Sequence, residues 1–206
     1  MTTSLYARAS AAKAPPVGDE RILFRLNRGD LVVGLFDGIA PKHAAQIRRL
    51  VRAGVYDTTT IFRVEPGFVA QVINAQNRLT PLTPEQRQTI QRIPAELSKL
   101  QHRAGMLSMA HDDKSIDSAE TSFSFMLGRA PELDGKYTIF GQVEWGATLL
   151  TMIAREPRDD QNRPYNRIVI DRAEVKTGAA IAELRTTKQL RAPIPLAAMP
   201  KAGPVR

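Results

Sequence analysis

Hydrophobic and polar positions along this chain alternate in short runs broken by turn residues, a pattern of strands rather than of long helices. Glu20–Asn27 (ERILFRLN) and Asp30–Asp37 (DLVVGLFD) are rich in branched and apolar residues, and Arg28-Gly29 between them signals a tight hairpin. Similar runs recur at Thr60–Val64, Phe68–Ile73, Gly105–Ala110, Ser122–Leu127, Tyr137–Val143 and Asn166–Val175. Helical periodicity appears in three places. Pro41 opens a segment through Val51 with Ala44, Ala45, Ile47, Leu50 and Val51 on the apolar face and Lys42, Arg48, Arg49 and Arg52 outside, and Gly54 ends it. A second helix is predicted over Thr83–Ile93, with Thr83 as cap, Pro84 in the first turn and Glu85 after it, and a third over Gly146–Arg155. Eight short strands and a few helices predict a mainly β domain: a closed or nearly closed eight-stranded antiparallel barrel capped by helices.

The length of 206 residues suits one large domain, enough to bury a core without disulfides or metal. Residues 1–19 are Ala/Ser/Pro-rich and read as a flexible leader. Residues 20–177 form the domain, and 178–206 read as a basic, Pro-rich tail, extended from Ala192 through Pro193, Pro195, Pro200 and Pro204. Cysteine is absent, which excludes thiolate metal sites and cysteine nucleophiles. No run of apolar residues approaches a membrane span.

Charge changes the picture only after it is divided. The net charge is +8. Arg8 and Lys13 stand against Asp19 in the leader. Arg185, Lys188, Arg191, Lys201 and Arg206 stand against Glu183 in the tail, so five of the eight excess charges belong to the ends and three to the domain. No basic run is interleaved with aromatics, so no nucleic acid partner is expected. The Arg28-Gly29-Asp30 triplet, which has the letters of a cell-adhesion motif, is accounted for by its turn.

Three blocks resemble one family. YDTTTIFRVEPGFVAQ (Tyr56–Gln71) is similar to the cyclophilin-type peptidyl-prolyl cis/trans isomerase pattern Y-D-G-T-x-F-H-R-V-x-P-G-F-x-x-Q. RAGMLSMA (Arg103–Ala110) resembles its G-x-L-S-M-A strand, and LDGKYTIFGQVEWG (Leu133–Gly146) its L-D-G-x-x-x-x-F-G-x-V-x-x-G segment. They occur in the family's order over roughly Arg21 to Val175. The resemblance implies the cyclophilin barrel and isomerisation of X-Pro bonds during protein folding, with proline-containing peptide or protein segments as partners.

That chemistry needs no nucleophile, metal or cofactor. Amide resonance sets a rotational barrier of ~18–20 kcal/mol, and a donor that stabilises the twisted bond lowers it. By the resemblance, Arg63 is the catalytic arginine, Phe68 the floor of the proline pocket, Gln71 the side chain holding the substrate backbone and Leu133 a pocket wall. Met109 and Ala110 are expected as a strand edge whose backbone bonds an extended peptide. Ser122, Phe123 and Ser124 fall in the family's G-S-Q-F-F-I strand, His111 at its usual Asn and Tyr137 at a common His position.

The departures matter. Phe62 replaces the usual His before the catalytic arginine, Ser122 a Gln and Ser124 a pocket Phe, and Glu132 stands where Trp or His is common. Weak or altered activity is expected, with low affinity for the family's cyclic-peptide inhibitor. The alternative is a non-catalytic proline-binding or scaffold subunit, and both a monomer and an assembly subunit are compatible with the sequence. Residues 74–102 depart from the family and read as a helical insertion. Asp112, Asp113 and Asp117 lack the glycine and terminal glutamate of a calcium loop, so no metal is assigned. The divergent lining fits a bacterial cytoplasmic or periplasmic protein, or an organellar one.

Overall fold

The computed structural model describes residues 15–194. Most of the leader and the tail's Pro195, Pro200 and Pro204 lie outside the described residues. Eight strands are formed: β1 (Glu20–Leu26), β2 (Gly29–Leu35), β3 (Thr59–Glu65), β4 (Val69–Val72), β5 (Met106–Met109), β6 (Phe123–Met126), β7 (Ile139–Trp145) and β8 (Ile168–Thr177). They close into one antiparallel barrel in the order β1-β2-β7-β5-β6-β4-β3-β8, with β8 paired back to β1. Alternation along each strand sends one set of side chains inward. Phe24, Phe123, Phe125, Phe140 and Tyr56 form one aromatic cluster there, with neighbouring ring centroids 5.3–6.2 Å apart in mainly edge-on geometry. Tyr56 is fully buried, and its hydroxyl donates to the Thr121 carbonyl at 2.9 Å.

The β1–β2 turn is Asn27-Arg28, with Gly29 opening β2 at φ +130°, where a Cβ would also press on the Ala192 carbonyl at 3.0 Å. Arg28 is buried against Glu156 at 3.1 Å and Asp30 is fully buried, so the Arg28-Gly29-Asp30 triplet is structural.

Helix α1 (Pro41–Arg52) has Pro at its first turn and covers one end of the barrel. It buries His43, Ala44, Gln46, Ile47, Leu50 and Val51, whereas Ala45 is exposed, so the buried stripe is rotated from the expected one by its two polar members. Both have partners: Glu96 for the His43 ring and the Gln91 carbonyl for the Gln46 amide. Helix α2 (Pro84–Thr89) carries the expected Thr83 cap, completed by Gln86 as a capping box. It stops well short of Ile93. The segment buries no residue of α2, and Pro94 disfavours helical backbone at Ile93, which is extended and bridged to Ala119. The 74–102 insertion is therefore mostly irregular, with one 3₁₀ turn at Ala75–Asn77 and α2 as its helical parts. Helix α3 (Ala147–Ile153) follows Gly146, at φ +91°.

The segment after Thr177, expected as a tail, is folded through residue 194. Helix α4 (Gly178–Thr186) is capped by Thr177, whose hydroxyl accepts from Ala180 N–H at 3.1 Å. Ile181 and Leu190 pack on Leu23 and Val32, the outward faces of β1 and β2. Arg191 then donates to Asp30 through both its backbone N–H and its guanidinium, at 2.9 and 2.8 Å. Arg191, counted among the flexible charges, is thus an anchor.

Candidate active site

Strands β3, β4, β6 and β5 lie side by side, and their outward residues form the floor of a groove. Arg63 on β3 and Gln71 on β4 are register partners, just after an irregularity in the ladder at Ile61–Arg63. The Arg63 guanidinium lies 5.6 Å from the centroid of the Phe68 ring, donates to Gln71 Oε1 at 3.4 Å and pairs with Glu65. Its side chain is 35% exposed, held on three sides yet open toward the groove. An outer apolar cluster of Val69, Met126 and Ala130, with Phe68, Met106 and Leu133 against it, underlies this region.

Arg63, Phe68, Gln71, Met109, Ala110, His111, Ser124, Leu133 and Tyr137, all expected from the sequence, line one pocket of about 140 Å³. Val69 and Ser108 line it too and were not anticipated. Ser124 sits on the outward face of β6 between Gln71 on β4 and Ser108 on β5, so the pocket wall there is hydroxyl rather than ring. On the opposite rim His111 and Tyr137 stack at 4.2 Å with 15° between planes, and the His111 ring nitrogens face the Asp112 and Lys136 carbonyls.

Two expected site residues are elsewhere. Phe123 is fully buried inside the barrel, because strand alternation gives Ser124 the outward position and Phe123 the inward one. Ser122 donates to the Val72 carbonyl at 2.8 Å and lines a second, neighbouring pocket. The expected peptide-bonding edge is also modified. Met109 N–H donates to Thr138 O and Ala110 N–H to Ser122 O, so neither amide is free for a substrate. Met109 itself is only 2% exposed. Glu132 is exposed and outside both pockets.

The second pocket shares Gln71, Ala110 and His111 with the first, so the two form one groove; Asn74 and Arg92 bring the insertion to its rim.

Behind Ser108 lies a buried relay that the sequence did not single out. His102, fully buried, receives the Ser108 hydroxyl on Nε2 at 3.0 Å and presents Nδ1 to Asp134 at 3.0 Å. Burial holds the His102 imidazole below its ordinary value, against the opposing pull of Asp134, which favours the neutral ring with its proton on Nδ1. Burial tends to raise Asp134, but bonds from the His102 backbone, Arg129 and the His102 ring outweigh it and hold the carboxyl low. The relay fixes Ser108 and, through Asp134 beside Leu133, the loop that forms the pocket wall. No local sequence pattern announces it, because His102 and Asp134 lie 32 residues apart and meet only in the fold.

Among the described residues no group of His, Asp and Glu could hold a metal ion, and no helix is long and apolar enough to cross a membrane.

The chain is thus a closed eight-stranded antiparallel barrel that carries, on one side, an arginine beside an aromatic ring at an open groove. The family described as cyclophilin type peptidyl-prolyl cis-trans isomerase matches residues 21–175. A peptidyl-prolyl cis-trans isomerase of Arabidopsis thaliana is 41% identical over 157 residues, 73% of this chain and 69% of that protein. A probable peptidyl-prolyl cis-trans isomerase of Brucella suis is 32% identical over 158 residues, covering 74% and 79%. A crystal structure of a Cryptosporidium parvum cyclophilin type isomerase, in the presence of the dipeptide Ala-Pro, superposes with a TM-score of 0.67 at 25% identity, over 77% of this chain and 99% of that one. The chain belongs to the cyclophilin-type peptidyl-prolyl cis-trans isomerases, and its function is cis/trans isomerisation of peptidyl-prolyl bonds.

Proposed function

We propose that the Arg63 groove carries this isomerisation, with the prolyl ring seated on Phe68 and Leu133 and the guanidinium aimed at the prolyl amide. As the C–N bond twists, resonance is lost and the prolyl nitrogen regains its lone pair. A guanidinium N–H donating to that nitrogen stabilises the twisted state more than either planar one, which is what lowers the barrier. Gln71 has two tasks in this reading: its Oε1 steadies Arg63, and its amide N–H₂ is turned toward the substrate backbone.

The lining sets how firmly proline is held. Ser124 leaves one side of the pocket without an aromatic wall, which weakens proline binding by ~1–3 kcal/mol. The His111–Tyr137 stack supplies a ring surface on the other rim. The activity is accordingly modest in KM, with the chemistry retained. The Cryptosporidium relative was crystallised with Ala-Pro, and the same dipeptide unit is the natural probe for this chain.

The observation that carries this reading is the convergence of Arg63, Phe68 and Gln71, from two paired strands and the turn joining them, on one open pocket. Exchange NMR on an Ala-Pro tetrapeptide tests it. Parent protein is expected to accelerate exchange and Arg63→Ala to lose about 10²–10³-fold in kcat/KM. Equal rates for the two proteins would refute the assignment.

A further inference from the structure

Beyond the groove, α1 and the insertion enclose a further hollow of about 350 Å³, lined by Lys42, Gln46, Arg49, Gln91, Arg92 and Ile93 among others. Three of these are cations and no lining residue is acidic. Neighbouring cations on the same helix are neutralised: Arg48 pairs with Asp37 and Glu20, and Arg52 with Glu20. Lys42 and Arg49 are not paired with any carboxylate among the described residues. The Arg49 guanidinium is met only by neutral amide oxygens, of Gln46 and, at 2.9 Å, of Gln91, and its Nε is buried without a partner. Glu96, which meets the first turn of α1, is already committed. It accepts from the backbone N–H groups of Lys42 and His43 at 3.0 and 2.9 Å and from His43 Nδ1 at 2.7 Å.

The hollow is also in series with the peptide groove. Arg92 lines both it and the second pocket, and that pocket shares Gln71, Ala110 and His111 with the pocket at Arg63. Arg92 is held at this junction by one pair with Glu120 at 3.3 Å, at 69% side-chain exposure, an interaction that costs little to exchange for a better anion.

We propose that this hollow is an extended subsite of the peptide groove that selects an anionic residue, a phosphorylated serine or threonine above all, on the polypeptide whose proline sits at Arg63. The inference rests on the groove reading above. A phosphate dianion offers three acceptor oxygens, and two guanidinium forks, an ammonium and two side-chain amides surround the space it would fill. A carboxylate fits the same chemistry less completely.

The test uses full-length protein and matched peptides with one Ala-Pro and either Ser, Glu or phosphoserine at successive distances from it on each side. At one placement the phosphoserine peptide is expected to bind about tenfold more tightly than the Ser peptide, with Glu between and the difference shrinking as salt rises. Lys42→Gln and Arg49→Gln should each remove about threefold of that preference while leaving Ser-peptide kinetics unchanged, and Arg49→Lys should restore part of it. Equal affinities at every placement would overturn the proposal. So would a preference that survives the double Lys42→Gln/Arg49→Gln variant with parental melting temperature. No acceleration on any peptide would strike the Arg63 groove reading instead, and the phosphoserine-to-serine affinity ratio would still decide the anion subsite.

Discussion

Arg63 and Gln71 face each other across the β3–β4 ladder, and the guanidinium reaches the Gln71 amide oxygen at 3.4 Å. The contact is long for a hydrogen bond, so it steers the guanidinium rather than fixing it. Replacing Gln71 by Ala is expected to lower kcat/KM about tenfold, the loss of one bond to a charged group. Gln71→Glu tests the same contact differently: a carboxylate would draw the guanidinium away from substrate, and kcat should fall further than with Ala. Steady-state kinetics on an Ala-Pro peptide decide between them, and parental rates in both variants would remove Gln71 from the site.

Ser124 invites the opposite experiment. It lies between Gln71 and Ser108 on the pocket floor, and Ser124→Phe would add a ring where the pocket lacks one. The expected outcome is a KM for Ala-Pro peptides lower by about tenfold with kcat little changed, since the ring adds binding common to ground and transition states. An unchanged or higher KM would mean that the ring cannot enter the pocket.

Acid should weaken the fold through two buried histidines. Burial holds His43 below its ordinary value despite the hydrogen bond and charge of Glu96, and His102 likewise despite Asp134. Both have depressed folded values, so unfolded chains take up protons near the ordinary value of 6.5 that folded chains refuse. The stability they contribute is complete above that value and is lost as pH falls below it. Glu96, also held low, stays ionised in this window and does not reverse the sign. Urea midpoints measured from about pH 7.5 down to about pH 5 should fall, and less steeply in His43→Gln. A midpoint that rises on acidification would contradict the assignment of both rings as neutral.

Leu190 is 7% exposed and packs with Ile181, Leu23 and Val32, on the side of the barrel away from the groove. Leu190→Ala should cost about 2 kcal/mol, a melting temperature lower by roughly 4–8 °C, with kcat/KM unchanged. Deleting everything after Thr177 should cost more. No change in melting temperature on either alteration would return residues 178–194 to the status of a loose tail.

The strands were legible because short runs rich in branched and apolar residues recur between turn residues, and a barrel needs little more than that. Helix α4 was not. Ala179, Ala180, Ile181 and Ala182 run together without an apolar stripe, and its docking depends on a partner face, Leu23 and Val32, more than 140 residues earlier. The end of α2 was overread because Thr83 announces a helix start while the stop depends on what Ile93 bridges. In the site, motif positions placed Arg63, Phe68, Gln71 and Leu133 in one pocket, and register alone moved Phe123 out of it. His102 and Ser108 escaped notice because a relay through the wall of a pocket leaves no local pattern. The accounting of charge changed as well: part of what looked like loose basic tail is Arg191 holding Asp30.

Strand β8 pairs with both β3 and β1, so the seam of the barrel joins Glu20–Leu26 to a segment about 150 residues downstream. During synthesis the amino-terminal hairpin must therefore wait, with one edge of β1 open, until Ile168–Thr177 has left the ribosome. A polypeptide cut short anywhere before that point is not a smaller barrel. It is an unclosed sheet, and the cell would meet it as a substrate for chaperones or proteases.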